Sequence, residues 1–380
     1  MPDGNALALP FTVASRPQSR YSQALTVSNL GGGGSFPVIQ LPATGYVRSL
    51  DLFFTATYTT SASATVVAGD APWNLVSAIT LTDATGQPVQ QPISGYSLYL
   101  VDKYLPAGGV AQDGAAQNPY ASPQVGPAGQ YAFSASGTSG SAVFCLRIEF
   151  EQDPKTGWGS IPNLDSNASL QLKIDYAASS VAFSGGTASA ATLSVVVNQN
   201  YWATTAPMLS GQPVDNRPVG YGDYVETRYE TQTVSASSEN LVNFTSKGGL
   251  VKGMVLVSRA AGVRTAITAG SNFGLLLDNT PITEGIKIEH HYALVRRLTG
   301  YCGTDITTSY AALSAGTLPG IDVGVVPVPF YNLSGYRDSW LNTRVGSLFQ
   351  TKITPGASAT TLEVITQLAQ VKDAAAFFGR

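Results

Sequence analysis

Histidine is the side chain most often used to move protons or hold a metal near neutral pH, and this chain of 380 residues has two, His290 and His291. A metal held on a strand needs ligands at i and i+2, so that both point the same way, and further ligands to complete the set. Adjacent histidines on a strand face opposite sides and there is no third. Surface or helix-start positions are therefore expected for both. Nucleophilic catalysis would depend on the same pair. There is no G-x-S-x-G elbow, and Cys145 sits mid-strand in AVFCLRIEF, where it reads as a small buried apolar side chain. Paired carboxylates are the remaining route. Glu149, Glu151 and Asp153 alternate along one strand face, and Glu284 and Glu289 flank the histidines. Glycoside hydrolysis needs two carboxyl groups about 5–9.5 Å apart across a groove. However, EFEQDPKTG runs straight into a turn, where solvated carboxylates are ordinary. The glycines of Gly31–Gly34 lack the flanking residues of a phosphate loop and read as a hinge. No catalytic, cofactor-binding or metal-ligating residue is assigned, no cofactor is expected, and the chain is not expected to be an enzyme.

The composition points elsewhere. Charged residues make up 12% of the chain, against about 25% in an average soluble protein. The formal net charge is −3 and there are 18 tyrosines. Such a surface suits coverage by copies of itself, because Tyr is favoured and Lys and Glu are depleted at interface centres. The absence of Lys/Arg-rich blocks argues against direct, sequence-specific nucleic-acid binding. No apolar run is long enough to span a bilayer as a helix. The start, MPDGNALALPFTVASRP, has no basic segment before an apolar one and does not read as a signal peptide. Two cysteines cannot build a disulfide framework, which favours synthesis in a reducing cytoplasm.

The elements that must position all of this are strands: short segments rich in β-branched and aromatic residues, punctuated by Gly and Pro. Helical periodicity is confined to Gly95–Leu105, with Tyr96, Leu100 and Tyr104 on one face, and to His291–Leu298. The strands repeat. TGYVRSLDLFF matches GGLVKGMVLVS at an offset of 204 residues, placing Tyr46, Arg48, Leu50 and Leu52 on one face opposite Leu250, Lys252, Met254 and Leu256. Leu81–Leu100 matches Leu276–Val295 at 195, each a strand ending in Asp, a turn-rich spacer and a short helix. SLQLKI matches SLFQTKI with the lysines 179 apart, and TLSVVVNQ matches TLEVITQ with the threonines 169 apart. Four matches in one order, with shrinking offsets, describe a duplicated β-module whose second copy has shorter loops. Its length and strand density fit an eight-stranded jelly roll better than an immunoglobulin sandwich of about 100 residues. The expected fold is all-β: two tandem jelly rolls with a few short helices. The expected order is an N-terminal arm (1–20), a first jelly roll (21–205), a connector (206–224), a second jelly roll (225–371) and a C-terminal tail (372–380). A long Gly/Ala/Pro-rich excursion, Pro106–Ser141, interrupts the first copy.

With these features the sequence resembles the double-jelly-roll major capsid proteins of tectivirus-type tailless phages with an internal membrane, a lineage that includes adenovirus hexon. APWNLVSAITLTDATGQPVQQPISGYSLYLVDKYL (Ala71–Leu105) carries most of the likeness, which extends from Phe36 to Val371. Its motifs are architectural, so no functional residue is carried over. The resemblance implies homotrimers that mimic sixfold packing and tile an icosahedral shell. It also implies contacts with penton and minor capsid proteins and a place in the virion. An internal membrane would be reached through the terminal arms, where Arg16, Arg20, Phe377, Phe378 and Arg380 are the candidate contacts with membrane or neighbour. Two other classes fit a double β-sandwich: a secreted glycan-acting hydrolase, and a non-catalytic spike or carbohydrate-binding protein.

Overall fold

The computed structural model describes residues 8–60, 66–105, 131–132, 139–185, 188–307, 319–330 and 339–371. Most of the excursion Pro106–Ser141, and Phe377, Phe378 and Arg380, lie outside these described residues. In the first half the principal strands are β1 (Pro17–Tyr21), β2 (Gly34–Ser35), β3 (Gly45–Thr60), β4 (Val76–Thr82), β5 (Pro88–Ile93), β6 (Ser139–Glu149), β7 (Gln171–Tyr176) and β8 (Ala188–Trp202). Helix α1 (Gly95–Tyr104) follows β5. The second half contains β9 (Tyr224–Thr233), β10 (Asn240–Asn243), β11 (Leu250–Ala260), β12 (Asn272–Leu277), β13 (Thr280–Lys287), helix α2 (Ile288–Thr299), β14 (Val325–Pro329), β15 (Phe349–Ile353) and β16 (Thr361–Gln370).

Hydrogen bonding orders the first set as β1-β8-β3-β6 and β2-β7-β4-β5, and the second as β9-β16-β11-β14 and β10-β15-β12-β13. The two halves have the same topology, with every pairing in these four sheets antiparallel. Each is a jelly roll, and the fold is a tandem of two.

The ladders test the repeat residue by residue. Between β3 and β8 the pairing steps from Val47↔Tyr201 to Ser49↔Asn200, leaving Arg48 as the extra residue of a bulge. Between β11 and β16 it steps from Val251↔Leu368 to Gly253↔Gln367, leaving Lys252. The matched basic residues are thus matched bulges. A bulge re-aims the strand. Tyr46 packs with Phe11 and Trp202 outside the main core, while Leu50 and Leu52 enter it, so these residues do not share a face as expected. Two other alignments slip. Lys173 faces Thr80 and Lys352 faces Gly274, which equates Leu81 with Leu275, one residue from the sequence match. Val197 corresponds to Val364, two residues from the threonine-based match. The turn-rich spacer before each helix contains a whole strand, β5 or β13. The second hairpin turns on Asp278 and Asn279, both left-handed (φ 51° and 61°), which suits a two-residue hairpin loop.

The first strand extends the repeat further. Ser19-Arg20-Tyr21 on β1 faces Asn200, Gln199 and Asn198, and Thr227-Arg228-Tyr229 on β9 faces the corresponding Gln367, Thr366 and Ile365. An arm drawn to residue 20 therefore cuts through the first strand of the sheet. The glycine run is likewise more than a hinge, because Gly34 opens β2 and pairs with Tyr176.

Each jelly roll fills its interior from alternate positions. Leu50, Leu52, Phe54, Leu146 and Val195 serve the first, and Met254, Leu256, Phe273 and Val364 the second. Along β11 both faces are covered: Val255 and Val257 join the first cluster while Met254 and Leu256 join the second. The near-continuous apolar run of that strand is the sequence signature of two-sided burial. The element that covers its outer face is α1.

Candidate assembly surfaces

The chemically capable residues of the sequence do not converge. His290 is exposed at the start of α2, and His291 is buried with Nε2 2.8 Å from the Pro327 carbonyl. A carbonyl only accepts, so that nitrogen carries a proton; burial lowers the pKa of the ring despite this bond. Glu151 corrects the expectation of a solvated turn residue. It is 6% exposed, ion-paired to Arg48, and accepts a hydrogen bond from Trp202 Nε1 at 2.9 Å. Burial raises its pKa, with Arg48 opposing. Asp153 does serve its own turn, accepting from the Lys155 amide and the Thr156 hydroxyl. Glu289 accepts from the Gly270 amide. Cys145 is half-buried on the outward side of β6 and not inside the core, Cys302 is exposed, and both are free thiols. Among the described residues no group of three or more His, Cys, Asp or Glu could hold a metal. Arg16 and Arg20 are exposed, on and beside the edge strand β1.

Instead, the buried polar chemistry lies in the seam between the two jelly rolls. Ser94 caps α1 by accepting from the Ser97 amide, and all ten residues of the helix are buried. Its last turn carries Lys103, whose Nζ is 2.7 Å from Asp322 Oδ2 and 2.9 Å from the Gly320 carbonyl of the second half. Tyr104 donates to the same carboxylate oxygen at 2.8 Å, and the Asp322 amide donates to the Tyr104 hydroxyl at 3.0 Å. The ammonium also lies 4.8 Å from the Tyr301 ring centre. Burial lowers the Lys103 pKa to about 8, and Asp322 opposes that shift.

From this pair a row of alternating charges crosses the seam. Asp322 is 3.9 Å from Arg264, Arg264 is 2.8 Å from Asp70, and Asp70 is 2.6 Å from Arg259, which is 2.6 Å from Glu363. Lys103 and Asp70 belong to the first jelly roll and the other four to the second. Breaking a buried pair of this kind by removing one partner typically costs about 3–5 kcal/mol, because it strands a charge in a poorly solvating site.

Lower in the seam, the Gln90 side chain donates to the Thr227 carbonyl at 2.6 Å and accepts from the Thr227 amide at 3.0 Å, acting as a short extra strand on the edge of β9. Lys252 Nζ donates to the Leu105 carbonyl and to Gln152 Oε1, both at 2.8 Å. Its counterpart Arg48 holds the adjacent Glu151, so the two bulge residues grip one segment from opposite modules. A Cβ on Gly253 would collide with Leu105 Cδ2; glycine is what lets α1 lie against the sheet. Trp158 and Trp340 meet edge-on with ring centres 5.9 Å apart. None of Lys103, Asp322, Arg259, Arg264 or Asp70 stands out in the sequence, since none belongs to a motif or a run of charge.

Among the described residues no helix covers the equivalent surface of the first jelly roll in this way. Where β11, β14 and β16 present Val255, Val325 and Ile365 to α1, the matched positions on β3, β6 and β8 are Asp51, Cys145 and Asn198. This outer face also carries Tyr21, 63% exposed and stacked on Phe53 with ring centres 6.5 Å apart. The equivalent helix α2 buries one side against its own module through Ile288, His291, Val295 and Thr299, but leaves Leu294 50% exposed and Arg297 in solvent.

No family model matches the sequence, and no curated protein resembles it in sequence. Solved structures do match. Along 94% of this chain and 97% of the other, it superposes on the major capsid protein of Sulfolobus turreted icosahedral virus with a TM-score of 0.59 at 12% identity. The major capsid protein P2 of bacteriophage PM2 gives 0.55 at 9% identity, over 94% of this chain and 99% of that one. The PBCV-1 virus capsid gives 0.59 at 11% identity, over 93% and 94%. The fold is the double jelly roll of viral major capsid proteins. At these identities the likeness is one of architecture. The shared architecture extends over nearly the whole of each partner.

Proposed function

We propose that this chain is a viral major capsid protein, structural and not enzymatic, whose homotrimers form pseudo-hexagonal tiles of an icosahedral shell. The observation that carries the reading is a symmetry left unfinished within one chain. Helix α1 covers the large sheet of the second jelly roll, while among the described residues no helix lies on the matched sheet of the first, and the matched helix α2 leaves Leu294 and Arg297 exposed. Three chains in a ring, each laying α2 on the next chain's β3-β8 face, would repeat one contact six times. Interfaces of permanent assemblies bury on the order of 2,000–5,000 Å². Contacts between trimers can each be weak, because a shell multiplies them.

The remaining partners follow from the same reading. Both described termini lie at one end of the molecule: Phe11 packs on Tyr46 at the start of β3, and the Val371 carbonyl accepts from Arg344 beside Gly248. That end exposes Val13, Met208, Leu209, Val219 and Val345. We assign it, with Arg16, Arg20, Phe377, Phe378 and Arg380, to an internal membrane, with penton and minor capsid proteins as further neighbours. The protein would be made in the host cytoplasm and reside in the virion. Size-exclusion chromatography with light scattering tests the central point. A particle of three times the 39.6 kDa chain mass is expected, and a stable monomer that hydrolyses glycans would overturn it.

A further inference from the structure

The joint within the chain and the joint that closes the trimer differ in chemistry. We infer that subunits are held together by an electrostatic contact between Arg297 of one copy and the acid-and-amide cluster around Asp51 of the next, at a position where the matched helix–sheet contact within each chain is made largely by apolar side chains. The inference rests on the trimer reading above and follows from the matched positions.

In the intrachain seam, α1 presents Leu98, Val101 and Leu105 to a sheet face made of Val255, Val257 and Ile365. Asp102 sits on the same helix within a small pocket shared with Thr227 and Gln367 of the second jelly roll. The helices align through Ile93 and Ile288, both buried where strand passes to helix, and through Leu100 and Val295. On that alignment Leu98 corresponds to Ala293, Val101 to Arg296 and Asp102 to Arg297. Two positions of the covering face, one apolar and one acidic in the first helix, are basic in the second. Arg296 is already paired with Asp305 at 2.7 Å, whereas Arg297 is exposed and has no ion-pair partner among the described residues.

The receiving face has changed in the complementary direction. Thr227 and Gln367 correspond to Ser19 and Asn200, and Val255 and Ile365 to Asp51 and Asn198. Asn200 Nδ2 donates to Asp51 Oδ2 at 2.7 Å and Asn198 Nδ2 donates to it at 3.2 Å. The other carboxylate oxygen accepts no hydrogen bond, with Arg147 Nε standing 3.5 Å away, and Asn198 Oδ1 is also unsatisfied. Asp51 Oδ1 has only this long ion pair and Asn198 Oδ1 has no hydrogen bond; under-satisfied buried acceptors are costly, and a guanidinium has donors enough to serve both. An arginine delivered by the neighbour's α2 at the position of Asp102 reaches this cluster beside Ser19 and Asn200. A positive charge, where the first helix carries Asp102, meets a negative one, where the second sheet carries Val255.

The test uses the full chain in sedimentation equilibrium at low and at 1 M NaCl, on the wild type, R297E, D51N and the double variant, with a thermal melt to confirm folding. The expected result is a trimer at low salt whose dissociation constant rises at least tenfold in 1 M NaCl without loss of the monomer fold. R297E and D51N should each weaken it at least tenfold, and the double variant by less than the product of the two. A wild-type trimer whose affinity is unchanged by salt and by R297E overturns this inference alone. A wild type that stays monomeric in both buffers overturns the trimer and this contact together.

Discussion

At the scale of single residues, the seam keeps two ammonium groups where water cannot reach them, and the protein reports this through pH. Among the described residues Lys252 has no ion-pair partner; two oxygens accept from it, and burial lowers its pKa to about 8. In the unfolded chain a lysine holds its proton to about 10.4. Between those values the unfolded state binds more protons than the folded one, so stability rises with pH across that window. The expected rise is up to about 3 kcal/mol for such a group. Lys103, also lowered to about 8, contributes a second rise over the same range. Urea titrations from pH 7 to pH 10 should therefore show the chain gaining stability, and K252M should remove about half of the gain. A K252M slope equal to that of the wild type would show that Lys252 is solvated.

At the scale of elements, the contact between α1 and β11 depends on one missing side chain. G253A should cost about 1–3 kcal/mol by overpacking against Leu105. Combining it with L105A should recover part of that loss, a coupling readable from the four melts of a double-mutant cycle. This contact also shows what the sequence made legible. Strands and helices were, because their periods of two and 3.6 are local. So was the duplication, because equivalent strands need similar residues for similar faces. The strand β1 was missed: its five residues are all exposed, so PQSRY has no apolar alternation to signal a strand, and only the shared Arg-Tyr with β9 marks it. Register was misjudged at Tyr46 because a bulge leaves no trace in composition. The seam was illegible for a different reason. Asp70 and Arg264 are far apart in the chain and adjacent in space, and nothing in either local segment encodes the other.

At the scale of the whole molecule, the two jelly rolls are one unit. The cluster that fills the first interior continues through α1 to Val255, Ile365, Trp340 and Val371 of the second half. The row of charges from Lys103 to Glu363 is anchored in both. Two domains joined only by a linker would melt separately. Differential scanning calorimetry of the monomer should instead give a single transition with equal calorimetric and van't Hoff enthalpies. Two resolved peaks would mean that the seam opens before either core.

That row of charges has a geometric consequence. A head-to-tail contact, helix of one copy on sheet of the next, has no twofold to terminate it; it closes into a ring only if each step turns through the right angle, and otherwise propagates as an open helix. Half of the steps around the ring are set inside the chain, by the angle at which one jelly roll meets the other. Clamped by five ion pairs in series, that angle acts as a gauge block: it decides whether chains form finite tiles or endless filaments.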